Sequence, residues 1–245
     1  MATTPAAQGM DTLPPAARRH VERLRDGLQA AVGADLAALV VYGSAVRGSY
    51  DEETSDIDVI VVLRDTALPK LVACANPLLL ARHSGRVEAM VLREDEIAAA
   101  SDVFPLFYDD IRSRHVLAAG VDPFQRLTIS DAHRRLRIEQ ELREARIRMR
   151  RAAVDAMGVD AALVGALARK VKQIRGPLHA LLRLKGVSCD DTVSTVLHET
   201  GKAYGVDTAP LLRVHEDPAA AHAAFRKLID TAVDDVDRMP AGGAS

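Results

Sequence analysis

Hydrophobic positions along the chain fall into two regimes. In the first, apolar residues come in short runs broken by turn signals. Pro14-Pro15 opens a stretch in which Leu24, Leu28 and Val32 recur at helical spacing, and Gly33-Ala34 ends it. Leu36–Tyr42 is an apolar, partly β-branched run that predicts a buried strand. A Gly/Ser segment over residues 43–49 and an acidic turn at Asp51–Glu53 separate it from a second such run, Ile57–Leu63. A helix is expected over Pro69–Arg82, a third strand over Arg86–Leu92, short helices over Glu94–Ala100 and Pro105–Arg114, and an edge strand at His115–Ala119. The first dozen residues, rich in Ala, Thr, Pro and Gly, read as a frayed tail.

After about residue 125 the strand signals stop. Ile129–Met157 reads as one long charged helix, with Ile138, Leu142, Ala145, Met149 and Ala152 on one face at steps of three and four. Further helices are expected over Val159–Lys185, kinked at Pro177 and stopped by Gly186, over Asp191–Tyr204, and from Pro218 to Val236. Four helices with facing apolar stripes predict a bundle. The expected class is therefore α+β: a small mixed sheet with flanking helices over residues 14–124, then an all-helical bundle over 125–239. Pro240–Ser245 reads as a disordered end.

Composition narrows the function. The chain has 245 residues, 48% hydrophobic, with a net charge of −2, so no basic field argues for a nucleic-acid groove. Aromatics are 3% and Trp is absent, which removes stacking platforms for single strands. The Arg-rich stretch Arg143–Arg151 alternates with Glu139, Glu141 and Glu144 and reads as a solvated helix face. Cys74 and Cys189 have no ligand spacing and suit free thiols in a reducing compartment. No run approaches membrane-spanning length and no signal pattern opens the chain, so a soluble cytoplasmic protein is expected.

The chemistry concentrates in Val40-Val41-Tyr42-Gly43-Ser44-Ala45-Val46-Arg47-Gly48-Ser49 and Thr54-Ser55-Asp56-Ile57-Asp58-Val59. A strand ends at Tyr42. Gly43 lets the backbone turn tightly, and Ser44 starts a short helix whose free N–H groups and hydroxyl suit phosphate. The next strand opens with Asp56 and Asp58, two apart and therefore on one face. Carboxylates this close resist ionising together unless a cation neutralises them, and Mg²⁺ completed by phosphates suits the oxygen ligands. Glu88, an acid inside an otherwise apolar strand, is placed as a third carboxylate; a salt bridge to Arg86 is its bland alternative. Three carboxylates can hold two metals, one orienting a triphosphate and one activating an acceptor hydroxyl.

In these residues the sequence resembles the nucleotidyltransferase superfamily shared by DNA polymerase beta and aminoglycoside nucleotidyltransferases. The resemblance implies Asp56, Asp58 and Glu88 as catalytic metal ligands, with Glu88 as third ligand, general base or both. It implies Gly43, Ser44, Arg47 and Ser55 at the nucleotide, two Mg²⁺ ions, and ATP or another nucleoside triphosphate as co-substrate. Eleven residues separate Ser44 from Asp56, one more than in many bacterial members, which enlarges the acidic turn. A looser likeness to bacterial nucleotidyltransferase-domain proteins extends through Phe104-Pro105-Leu106-Phe107, Asp110-Ile111 and Gly120-Val121-Asp122-Pro123-Phe124 to Arg137–Arg143. In aminoglycoside nucleotidyltransferases a helical domain follows the catalytic layer. There Glu139 or Glu141 could serve as base, and Lys170 and Lys172 could reach the triphosphate, although solvated surface charges are the plainer reading of all four.

The leading expectation is an enzyme that transfers a nucleotidyl group, most simply adenylyl, to a hydroxyl of a small molecule or protein. A regulatory partner is the second reading: an antitoxin-like protein that binds or AMPylates a HEPN-type toxin. A catalytically inactive nucleotide binder is the third, and the retained acids argue against it. The helical half lacks the HEPN ribonuclease spacing, because Arg175 and His179 are separated by only three residues. His179 and His198 read as packing or surface residues. A homodimer through the apolar stripe of the long helix is open, with packing inside the bundle the simpler fate of that stripe.

Overall fold

The computed structural model describes residues 7–239; residues 1–6 and the expected disordered end at 240–245 lie outside them. Two units divide the chain, Met1–Thr128 and Ile129–Ser245. The class is α+β, with the strands in the first unit and a succession of helices in the second.

The first unit carries α1 (Pro15–Val32), β1 (Leu36–Tyr42), α2 (Ser44–Arg47), β2 (Ile57–Leu63), α3 (Leu68–Gly85), β3 (Val87–Arg93), α4 (Glu94–Ala99), α5 (Pro105–Ser113) and β4 (Val116–Gly120). The sheet order is β3-β2-β1-β4. β1 runs antiparallel to both β2 and β4, while β2 and β3 are parallel, as the crossover through α3 requires. Alternate strand residues divide the sheet into two faces. Leu39, Val41, Ile57, Val59, Val61 and Val87 face a core built with Val21, Leu24 and Leu28 of α1 and Cys74 and Ala81 of α3. Asp58 and Glu88 therefore belong to the other face. α1 and α3 pack closely where Gly27 meets Pro77: a Cβ on Gly27 would stand 2.9 Å from the proline Cβ.

The expected frayed tail is corrected in its described part. Gln8 donates from its N–H to His115 O at 3.0 Å and bridges to Val116 of β4. Met10–Thr12 forms a 3₁₀ turn, and Leu13 is buried. A backbone pairing of this kind leaves no side-chain signature in the sequence.

The second unit holds α6 (Asp131–Asp155), α7 (Asp160–Leu184), α8 (Val193–Tyr204), α9 (Ala209–Leu212) and α10 (Pro218–Arg238). Ser130, Thr192 and Asp217 cap α6, α8 and α10 by accepting from the backbone N–H three residues on. Of the predicted stripe, Ile138, Leu142, Ala145 and Met149 are buried and Ala152 is half-buried, and α6 packs with α7 and α10. α7 continues as one helix with Pro177 inside it. No helix among the described residues is long and apolar enough to cross a membrane.

Candidate active site

The site begins with a backbone constraint. Gly43, between β1 and α2, has φ 75° and ψ −146°, a conformation open in practice only to glycine. A Cβ there would overlap Asp58 Oδ2 and stand 3.1 Å from Asp58 Cγ. The turn and the second aspartate are thus packed directly together. Register explains why: Tyr42 is the cross-strand partner of Asp58 on β1, and Glu88 is its partner on β3. One strand position sets Tyr42, Asp58 and Glu88 in a row across three strands.

Asp58 is half-buried. Burial pushes its carboxyl above the usual range, and the charges of Asp56 and Glu88 push the same way, against Arg47. Tyr42 is pushed up to about 12 by burial and by Asp58 and Asp110. Its ring meets Phe107 edge-on at 5.6 Å. The face around Asp58 thus holds a concentration of negative charge that a cation would relieve.

The other two carboxylates are turned to arginines. Arg86 Nε donates to Asp56 Oδ1 at 3.1 Å, and the same guanidinium donates to Glu53 O at 2.7 Å and Thr54 O at 2.9 Å. Arg82 Nε lies 3.1 Å from Glu88 Oε1. Glu88 is exposed, since it stands on the face of edge strand β3 opposite buried Val87. Two expectations are corrected here. Glu88 is not a buried acid, and its ion-pair partner is Arg82, one turn before the end of α3. Arg86 lies outside the strand, as the residue that caps α3 with φ 51°. Among the described residues, no three His, Cys, Asp or Glu side chains are grouped to hold a metal ion. Asp56 and Glu88 are each engaged by an arginine, Arg86 and Arg82.

The nucleotide-binding candidates take different places. Ser44 stands at the first position of α2 and its hydroxyl donates to Asp56 O at 3.4 Å. Arg47, at the end of α2, pairs with Asp110 of α5. Ser55 is engaged in the acidic turn, where its Oγ accepts from Asp51 N at 3.0 Å. Asp51 accepts in turn from Glu53 N and Thr54 N. The turn is therefore internally tied and pinned from outside by Arg86. Tyr42, Arg82 and Asp110 were not among the site candidates, and Arg86 was considered only as a partner of Glu88; the adjacency of Tyr42 to Gly43 and the likeness through Asp110 were the available signals.

In the helical unit, Glu139 is held between Arg135 at 3.0 Å and Arg143 at 2.7 Å, and Glu141 pairs with Arg137 at 2.8 Å. Lys170 bonds Gln173 and Lys172 is exposed. His179 contacts Cys189 O at 3.2 Å, and His198 is exposed.

Comparison with protein families matches the segment that carries these residues. The model of the nucleotidyltransferase domain family matches residues 21–148, just over half of the chain. No curated protein matches. Among solved structures the chain is similar to the spectinomycin adenyltransferase of Enterococcus faecialis, crystallised with ATP and spectinomycin. The identity is 10% and the TM-score 0.51, over 90% of this chain and 99% of that one, a likeness of fold. The matched residues contain the Gly43-Ser44 turn, Asp56, Asp58 and Glu88, and the chain belongs to the nucleotidyltransferase domain family.

Proposed function

We propose that the chain is a Mg²⁺-dependent adenylyltransferase that moves a nucleotidyl group from a nucleoside triphosphate to a hydroxyl of a small molecule. Membership of the family supports nucleotidyl transfer; the metal, the base and the acceptor are the finer reading. The observation that carries it is the contact of Gly43 with Asp58. A backbone turn that can meet phosphate lies against a carboxylate whose charge is resisted by burial and by two neighbouring acids.

The donor chemistry suits a hard divalent cation: oxygen donors only, from Asp58, its cross-strand partner Glu88, and Asp56 just before β2, with the Asp58 charge resisted by burial and by both other acids. Asp56, Asp58 and Glu88 would hold two Mg²⁺ ions once Asp56 and Glu88 exchange Arg86 and Arg82 for metal. Bound Mg²⁺ would neutralise phosphate charge and acidify the acceptor hydroxyl. The chain's own residues do the rest. Gly43 and Ser44 orient the phosphates through backbone N–H groups and the Ser44 hydroxyl. Arg47, tethered to Asp110, supplies positive charge beside Asp58. Glu88, exposed at the sheet edge, accepts the acceptor's proton. Negative charge at the site favours a cationic acceptor, and the likeness to a spectinomycin adenyltransferase makes spectinomycin the first acceptor to try.

Calorimetric titration with ATP, with and without Mg²⁺, tests this reading. Wild-type protein binds ATP only with Mg²⁺, and Asp56→Ala/Asp58→Ala loses that binding. Wild-type protein that binds none of the four nucleoside triphosphates in Mg²⁺ overturns the enzyme reading.

A further inference from the structure

α3 carries two apolar faces, and among the described residues only one has a partner. Cys74 and Ala81 are buried against the sheet, with Ala73 and Leu78 packed beside them. On the opposite side Leu68, Leu71, Val72, Leu79 and Leu80 are exposed by 72%, 38%, 62%, 53% and 61%. Ala75 and Asn76 complete the stripe, at helical steps of three and four. Lys70, the charged residue nearest this face between Leu68 and Leu80, is tied to Asp35 within the chain. A soluble surface rarely presents so many large apolar side chains side by side.

The order of residues says what fits the stripe. About the midpoint between Ala75 and Asn76 the inner stripe reads alike in both directions: Leu71 mirrors Leu80 and Val72 mirrors Leu79, and at the outer edge Leu68 mirrors His83. The small pair sits at the centre and the bulky pairs lie outside it. A two-fold axis through that midpoint would lay a second α3 antiparallel on the first. Small residues at the crossing would allow close approach, and each Val72 would meet a Leu79 of the other copy. An isologous interface needs this kind of self-complementarity, and an uncharged stripe offers no repulsion between identical chains. A helix of this length is about 27 Å long, and its paired faces with their flanks would bury on the order of 1,000 Å² in total, near the lower bound for a specific interface.

We infer that the chain forms a two-fold symmetric homodimer through the outer face of α3. The α6 stripe is unavailable for this purpose, since Ile138, Leu142, Ala145 and Met149 are buried in the helical unit. The inference does not depend on the proposed reaction. α3 covers one face of the sheet, and Asp58 and Glu88 belong to the other.

Sedimentation velocity of the full chain over a concentration series from about 1 to 100 µM tests it. Three variants go with wild type: Val72→Glu, Leu79→Lys and the double Val72→Glu/Leu79→Lys. Both positions are exposed, so circular dichroism of all three should match wild type. Wild type dimerises. Each single variant buries an unpaired charge at the axis and weakens association about 100-fold. The double variant recovers the dimer, because the new glutamate of each copy then faces the new lysine of the other. A wild-type chain that stays monomeric throughout the series overturns the proposal and leaves the stripe to a different partner. A dimer that survives Val72→Glu unchanged overturns it too, by placing the interface elsewhere.

Discussion

At Gly43 two demands fall on one residue. The backbone takes a conformation that an L side chain reaches only at a cost of about 1–3 kcal/mol, and the space a Cβ needs is filled by Asp58. Gly43→Ala should therefore lower stability by at least that amount and push the Asp58 carboxylate off its position. The expected outcome is a lower Tm together with loss of Mg²⁺-dependent ATP binding. Calorimetry beside a thermal melt checks both. An alanine variant that folds and binds as wild type would mean that the contact is incidental. The tight turn at Gly43 was legible in the sequence, because a glycine between an apolar strand and a short Ser-led segment lets the backbone turn sharply. The exposure of Glu88 was not legible: Val87, Ala89 and Val91 look like a buried strand, and only the sheet order makes β3 an edge. Arg86 was hidden for a different reason. Its left-handed backbone at the end of α3, which lets one guanidinium reach Asp56, Glu53 and Thr54 together, is a property of how the helix ends and not of any local pattern.

Among the elements, the long ones were read correctly because their periodicity is strong. α1, α6, α7, α8 and α10 each follow from apolar residues at three- and four-residue steps, and the four strands from short apolar runs. The four-residue α9 and the 3₁₀ turn at Met10–Thr12 are too short to have a period. Long-range polar joints are equally silent in sequence, and one of them ties the ends of three helices. Asp235 of α10 accepts from Lys185, just beyond α7, at 2.6 Å and from the Tyr204 hydroxyl at the end of α8 at 2.8 Å. Burial alone would raise the Asp235 carboxyl; the bonds from Lys185 and Tyr204 outweigh it and hold the group below its usual range. The stabilisation is therefore full above the ordinary carboxylate range and fades as pH falls through the lowered value. Asp235→Ala should cost about 1–3 kcal/mol near neutral pH, since it strands a half-buried phenol and an ammonium. The gap to wild type should close in strong acid. Melts across pH check this, and a gap that widens toward acid would contradict the assignment.

For the molecule as a whole, the site and the fold compete for the same residue. Asp58 has its carboxyl raised by burial, by Asp56 and by Glu88, so its contribution to folding is favourable below the ordinary carboxylate range and is lost as pH rises through the raised value. At neutral pH the ligand-free protein carries this cost, and a bound cation would remove it. Asp58→Asn should thus melt a few degrees above wild type without ligand at pH 7–8 and together with it in strong acid. Addition of Mg²⁺ and ATP reverses the order. A ligand at a hundred times its Kd stabilises the wild-type fold by ~2.7 kcal/mol, or about 5–10 °C in a chain of this size, whereas the asparagine variant has no charge to hold the metal. The melting curves of the two proteins should therefore cross on ligand addition. Curves that keep their order with and without Mg²⁺ and ATP would separate Asp58 from the metal and leave its raised carboxyl as a consequence of packing alone.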